Sequence, residues 1–188
     1  IPTEEVGQAT LIDPPGLLWA ALRTHWHNNT LKATPKLYIL YEGFGKKNNF
    51  VTSTFPLDGV GLHYSPREMQ KFVLSSGLFD VTEGCVKDLN DIDSDWIFDC
   101  RGTPKNFNGY KKLNNPINAV LLSITQGRDL RQVYTRSVAT PDGWTFVIPN
   151  TTDTTSYGYL YNSDITTLED ATNNFRELFD VEEVTQRS

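Results

Sequence analysis

The segment Gly143-Trp144-Thr145-Phe146-Val147-Ile148-Pro149 constrains this chain more than any other. Strand side chains alternate between faces, so Trp144, Phe146 and Ile148 share one side of a strand. Pro149 ends the strand, because proline cannot donate to a ladder. The runs on either side read the same way. Asn118 to Gln126 and Gln132 to Thr140 precede it, and Ser156 to Ser163 follows. Their β-branched and aromatic residues suit a pleated, half-buried surface. Tyr157, Tyr159 and Tyr161 share a face by the same alternation. Such a face is usually core, and otherwise a wall for a flat aromatic ligand.

Earlier in the chain, Leu18, Ala21, Leu22 and Trp26 recur at helical spacing and predict a helix over residues 17–26. Residues 36–44 read as an apolar strand. Ser65-Pro66-Arg67-Glu68 is a helix start with Ser at the N-cap, Pro at the first turn and Glu closing a capping box. Met69, Phe72 and Val73 form that helix's apolar stripe, and Gly77 ends it. Strands are expected over residues 81–89 and 95–100. A last helix is expected over residues 167–179, capped by Thr166 with Glu169. These elements predict an α+β or α/β fold with a large mixed, mainly antiparallel sheet and few helices. A single domain over residues 1–188 is expected, since the length gives one core room to form.

A hydrophobic fraction of 38% and an aromatic fraction of 12% indicate a folded chain. The net charge of -6 gives no electrostatic footprint for nucleic acid or an anionic membrane. The pairs Lys46-Lys47 and Lys111-Lys112 read as solvated surface. Cys85 and Cys100 sit in apolar runs and read as buried structural thiols. No His or Cys neighbours stand at metal-ligand spacing, so no metal is expected. With neither a signal peptide nor an apolar run of membrane length, a soluble cytoplasmic protein is expected.

Three further positions can carry chemistry. Lys36 opens an otherwise apolar strand, and a desolvated amine loses its proton readily and becomes reactive. The commoner role for such a lysine is to reach water with its head. Asp95 and Asp99 flank Trp96-Ile97-Phe98 as turn caps, or more rarely as paired carboxylates. Arg136, in a half-buried strand, meets either a carboxylate or an anionic ligand.

Several segments, in order, resemble the flavin-dependent halogenases of the tryptophan halogenase family. Val6-Gly7-Gln8-Ala9-Thr10 is similar to that family's Val-Gly-Glu-Ala-Thr flavin strap, with Gln8 in place of Glu. Residues 35–44 resemble the strand of the catalytic lysine. His63-Tyr64-Ser65 resembles the family's His-Phe-Asp helix start, and Asp95 to Gly102 resembles a strand of its FAD domain. Tyr134-Thr135-Arg136 matches a Tyr-Thr-Arg run. Gly143 to Pro149 is similar to the Trp-x-Trp-x-Ile-Pro signature, with Phe146 in place of the second Trp, which removes an indole N–H. Residues 156–163 resemble the Gly-Tyr-x-Tyr-Ser strand that follows.

The resemblance implies an FAD-dependent monooxygenase-like, FAD/NAD(P)-binding architecture. It implies an enzyme that uses reduced FAD, oxygen and halide to form hypohalous acid. Lys36 relays the halogen to an electron-rich aromatic such as an indole. Val6, Gly7, Gln8, Ala9, Asp99 and Gly102 are then flavin-binding residues. Trp144, Phe146, Ile148 and Pro149 wall the substrate tunnel and keep substrate from the flavin. The implied partners are a small aromatic substrate and a flavin reductase, and a homo-oligomer is compatible with it. The family's Gly-rich phosphate turn is expected before residue 1 and its Leu-Glu-Ser-Thr segment after residue 188. The chain thus reads as the central portion of a halogenase. A flavin monooxygenase of the same fold without halogenation, and a folded fragment that binds aromatics without catalysis, are the alternatives.

Overall fold

Alternating apolar and polar residues from Ala119 to Tyr161 produce the body of the fold. The computed structural model describes residues 8–9, 20, 23, 31, 33–46, 49–51, 61–99, 109, 111, 113, 115–150 and 153–187. The described strands are β1 (Gln8–Ala9), β2 (Thr34–Lys36), β3 (Tyr38–Glu42), β4 (Asn49–Val51) and β5 (Gly61–Tyr64). They continue with β6 (Ala119–Gln126), β7 (Tyr134–Thr140), β8 (Gly143–Pro149), β9 (Thr154–Tyr161) and β10 (Thr185–Arg187). Helix α1 spans Pro66–Ser75 and α2 spans Leu168–Phe179. The helix predicted over residues 17–26 lies outside the described residues, apart from Ala20 and Arg23.

Seven strands form one sheet in the order β10-β6-β9-β8-β7-β3-β4, and three form a second in the order β1-β5-β2. Every pairing in the large sheet is antiparallel except β3 with β7. The large mixed, mainly antiparallel sheet with few helices is the one the sequence predicts.

The register fixes which side chains share each face. Val147 lies opposite Tyr157 and Thr145 opposite Tyr159, so the tyrosine face turns toward α2. Tyr159, Tyr161, Leu121 and Ala119 pack there against Ala171 and Phe175. The aromatic face of β9 is therefore core. Phe146 lies opposite Ser137 and Gly158, which puts Trp144, Phe146 and Ile148 on the other face.

Helix α1 begins as its sequence predicts, with the Ser65 hydroxyl accepting from the Glu68 N–H and Gly77 adopting φ +70° past the end. Met69 and Phe72 pack on a small cluster of Leu31, Ala33 and Leu62. Helix α2 is capped by Thr167, not Thr166. Both threonines stand three residues before an acid. The Thr166 hydroxyl bonds instead to Asp142, which also accepts from Tyr159 and Asn174. Burial would raise the Asp142 carboxyl, yet these three hydrogen bonds hold it below the usual range. The cluster ties the β7–β8 turn to α2.

Three expectations are corrected. The strand expected over residues 36–44 breaks at Leu37, and its two halves enter different sheets. Residues 81–89 and 95–99 are not strands but irregular chain, with one 3-10 turn at Leu89–Asp91 capped by Asp88. A strand needs ladder partners for its N–H and C=O groups, and none of the described residues runs beside these. Trp96 and Phe98 accordingly stand 80% and 85% exposed. Cys85, in the same segment, is exposed rather than buried. Cys100 lies outside the described residues.

Candidate active site

The break at Leu37 builds the site. Lys36 is the last residue of β2 and Tyr38 the first of β3, so the chain steps from the small sheet to the large one in a single residue. The Leu37 N–H donates to the Val133 carbonyl at 2.8 Å, which pins this step to the start of β7. Lys36 lies directly opposite Gly61 on β5, where no side chain competes for its space. The lysine is only 3% exposed. Its surroundings remove water from the ammonium form, so burial holds its pKa below the usual lysine value of 10.5. The desolvated reading of Lys36 holds, and the water-reaching one does not.

Lys36 opens into a cavity of about 460 Å³ between the two sheets. Strand β8 contributes Trp144, Phe146 and Ile148, and β7 contributes Thr135 and Ser137. Ile39, Tyr41 and Phe44 close one side, and Ala9 of β1 reaches the edge. The Trp144 and Phe146 rings meet edge to face with centroids 6.5 Å apart. Phe146 rests on Gly158, where an added Cβ would overlap ring atoms Cε1 and Cζ. Glycine at that position is what lets the ring lie flat on β9.

His63 stands on the face that Lys36 shares, two residues along β5 from Gly61, and is 0% exposed. Its Nε2 is 2.9 Å from the Thr135 hydroxyl, so it links β5 of the small sheet to β7 of the large one. Burial chiefly, then the positive charges of Lys36 and Arg128, lower its pKa from 6.5 to about 3. His63 is therefore neutral at working pH. A histidine with a depressed pKa in the fold takes up its proton more readily when unfolded, so stability is full above about pH 6.5 and is lost as pH falls toward about 3. Acid titration followed by circular dichroism should show a shallower loss in His63→Gln than in the parent across that window. Identical acid profiles would remove His63 as a source.

The structure thus brings together Lys36, Trp144, Phe146 and Ile148, with Ala9 beside them. Pro149 is buried at the end of β8, opposite Thr155 and outside the cavity lining. Gln8 is placed by its backbone, paired with Tyr64. Asp99 is exposed and is not part of the lining. Val6, Gly7 and Gly102 lie outside the described residues. Arg136 meets a carboxylate, with Nε 2.6 Å from Glu42 on the opposite face of the sheet. Ile39, Tyr41 and Phe44 line the cavity without a sequence signal for it, as do Thr135 and Ser137 apart from their alternation, and His63 beside them is equally unmarked. Among the described residues no group of three or more His, Cys, Asp or Glu could hold a metal ion. No described helix is long and apolar enough to cross a membrane.

The sequence profile of the tryptophan halogenase family matches residues 81–188. The chain belongs to the tryptophan halogenase family. Solved structures share its fold. A tryptophan 6-halogenase from Streptomyces toxytricini superposes with a TM-score of 0.70 at 17% identity, covering 100% of this chain and 55% of that one. A flavin-dependent halogenase from Xanthomonas campestris gives 0.69 at 15% identity, covering 100% of this chain and 54% of that one. The chain thus spans about half the length of these halogenases. No curated protein matches it in sequence.

Of the described residues expected to hold FAD, Ala9 of β1 borders the cavity of Lys36. Asp99, exposed in irregular chain, has no such placement.

Proposed function

We propose that this chain carries the halogen-transfer chamber of a flavin-dependent halogenase, with Lys36 as its catalytic residue. The observation that supports this is a lysine 3% exposed at the end of a cavity walled by Trp144, Phe146 and Ile148. Bound along Gln8–Ala9, reduced FAD would supply oxidised halide from oxygen and a halide ion, with a flavin reductase renewing it. The rest falls to the chain. The cavity's apolar wall keeps water from the oxidised halogen. The Lys36 head group has two uses in such a place. As an amine it offers a lone pair to the halogen, and as an ammonium it donates a hydrogen bond to hypohalous acid. Burial favours the amine. An electron-rich aromatic carbon then takes the halogen and loses its proton, and the hydroxide of the acid leaves as water. Trp144 and Phe146 offer edges and faces against which a flat substrate such as an indole can stack.

The test is product analysis with reduced FAD, oxygen, halide and an indole. Lys36→Ala should give no halogenated product while binding FAD as the parent does. Halogenation by that variant would sink the assignment. Phe146, which lacks the indole N–H of the family's second Trp, favours a second reading as a monooxygenase. Hydroxylated product formed equally well without halide would decide for that reading.

A further inference from the structure

We infer that His63, held by its hydrogen bond to Thr135, is the positioning residue that keeps Lys36 seated and dry in the cavity. This rests on the reading of Lys36 as the reacting amine. The geometry is that of a joint between two sheets. The chain carrying Lys36 leaves the small sheet and enters the large one at Leu37. His63 lies in the central strand of the small sheet, on the same face as Lys36. Thr135 lies in β7 of the large sheet and lines the cavity. The 2.9 Å contact between them is a fully buried side-chain link across that joint. Water entering there would solvate the ammonium form and raise the lysine's pKa.

The choice of imidazole fits this task. A cation beside Lys36 would repel it, and an apolar side chain could not hold Thr135. His63 stays neutral chiefly because it is buried; Arg128 in the loop after β6 adds to this, as does Lys36 on β2 in its ammonium form. Arg128 is itself placed by donating to the Asn150 carbonyl at 2.8 Å. From β1 and β7 the residues turned toward the joint are Ala9, Thr135 and Ser137, none of them ionisable, and from β3 the titratable group on the cavity is Tyr41. His63 thus adds a hydrogen bond at the joint without adding charge. Its Nδ1 is buried with no partner among the described residues, so the Thr135 bond carries the orientation of the ring.

Carbon-13 lysine NMR of the protein, with Lys36 assigned through Lys36→Arg, reads the lysine's titration directly. His63→Ala and Thr135→Val both break the link. Each is expected to move the Lys36 titration upward by about one unit, a roughly tenfold rise in the ratio of ammonium to amine at a given pH. In the halogenation assay both should lower kcat about tenfold with KM nearly unchanged. His63→Gln and Thr135→Ser, which can still form the hydrogen bond, should restore both readouts. A Lys36 titration that stays in place in Thr135→Val, whatever happens to kcat, overturns the inference as a merely structural link. If His63→Ala does not fold, Thr135→Val carries the test. The two failures separate cleanly. Halogenation by Lys36→Ala removes the functional reading but leaves the titration result to judge the link.

Discussion

Lys36→Met is expected to make the protein more stable and inactive at once. Methionine has nearly the length of the lysine stem and no charge to bury. In the folded chain the lysine is 3% exposed and its pKa lies below 10.5, so near neutral pH folding must either strip water from an ammonium or strip its proton. Removing that penalty should raise unfolding free energy by about 1–3 kcal/mol at neutral pH. The sign is set by linkage. A lysine with a depressed folded pKa contributes fully above its unfolded value and loses that contribution as pH falls. The gain from Lys36→Met is therefore largest at and below neutral pH and vanishes above about pH 10.5, where the amine is neutral in both states. Halogenation should fall by at least about 100-fold, since the lone pair and N–H donors are gone. Urea unfolding at two pH values, with turnover beside it, checks both halves. A destabilised Lys36→Met would mean that the cavity solvates the lysine far better than its burial indicates.

Phe175→Ala is expected to cost about 3–5 kcal/mol. Phe175 is fully buried on α2, with ring centroids 5.2 Å from Tyr159 and 5.9 Å from Phe179. Deleting the ring leaves a hole under the centre of the large sheet, and the stiff strands above can collapse into it only partly. The cavity of Lys36 lies on the opposite face. The lysine's titration should thus stay in place while the urea midpoint drops. A loss below about 1 kcal/mol would show that α2 is not the lid of this core.

Much of this architecture is legible in the sequence. Strands β6 to β9 and helix α2 follow from alternation and helical spacing, because each buries one face against the other. The cavity wall of Trp144, Phe146 and Ile148 follows from the same alternation. Other features follow from partners far along the chain. Trp96-Ile97-Phe98 has the composition of a strand, but composition supplies no ladder. The Thr-Gln-Arg of β10 is too short and polar to announce an edge strand, and it forms because Leu121 and its neighbours offer free edge groups. Lysines generally reach water, and only the glycine opposite Lys36 and the step at Leu37 overrule that habit. His63 read as part of a helix start, since nothing local marks its bond to Thr135, seventy-two residues away.

The parallel pairing of β3 with β7 joins Tyr38 to Tyr134 and Glu42 to Val138. Closing so long a loop carries an entropic cost before any contact forms, and such pairings set the pace of folding. During synthesis the strand that follows Lys36 waits for the whole meander of its partner to appear. The segment that encloses Lys36 therefore takes its place in the large sheet only after β7 has emerged, so the burial of this lysine is decided by residues far along the chain.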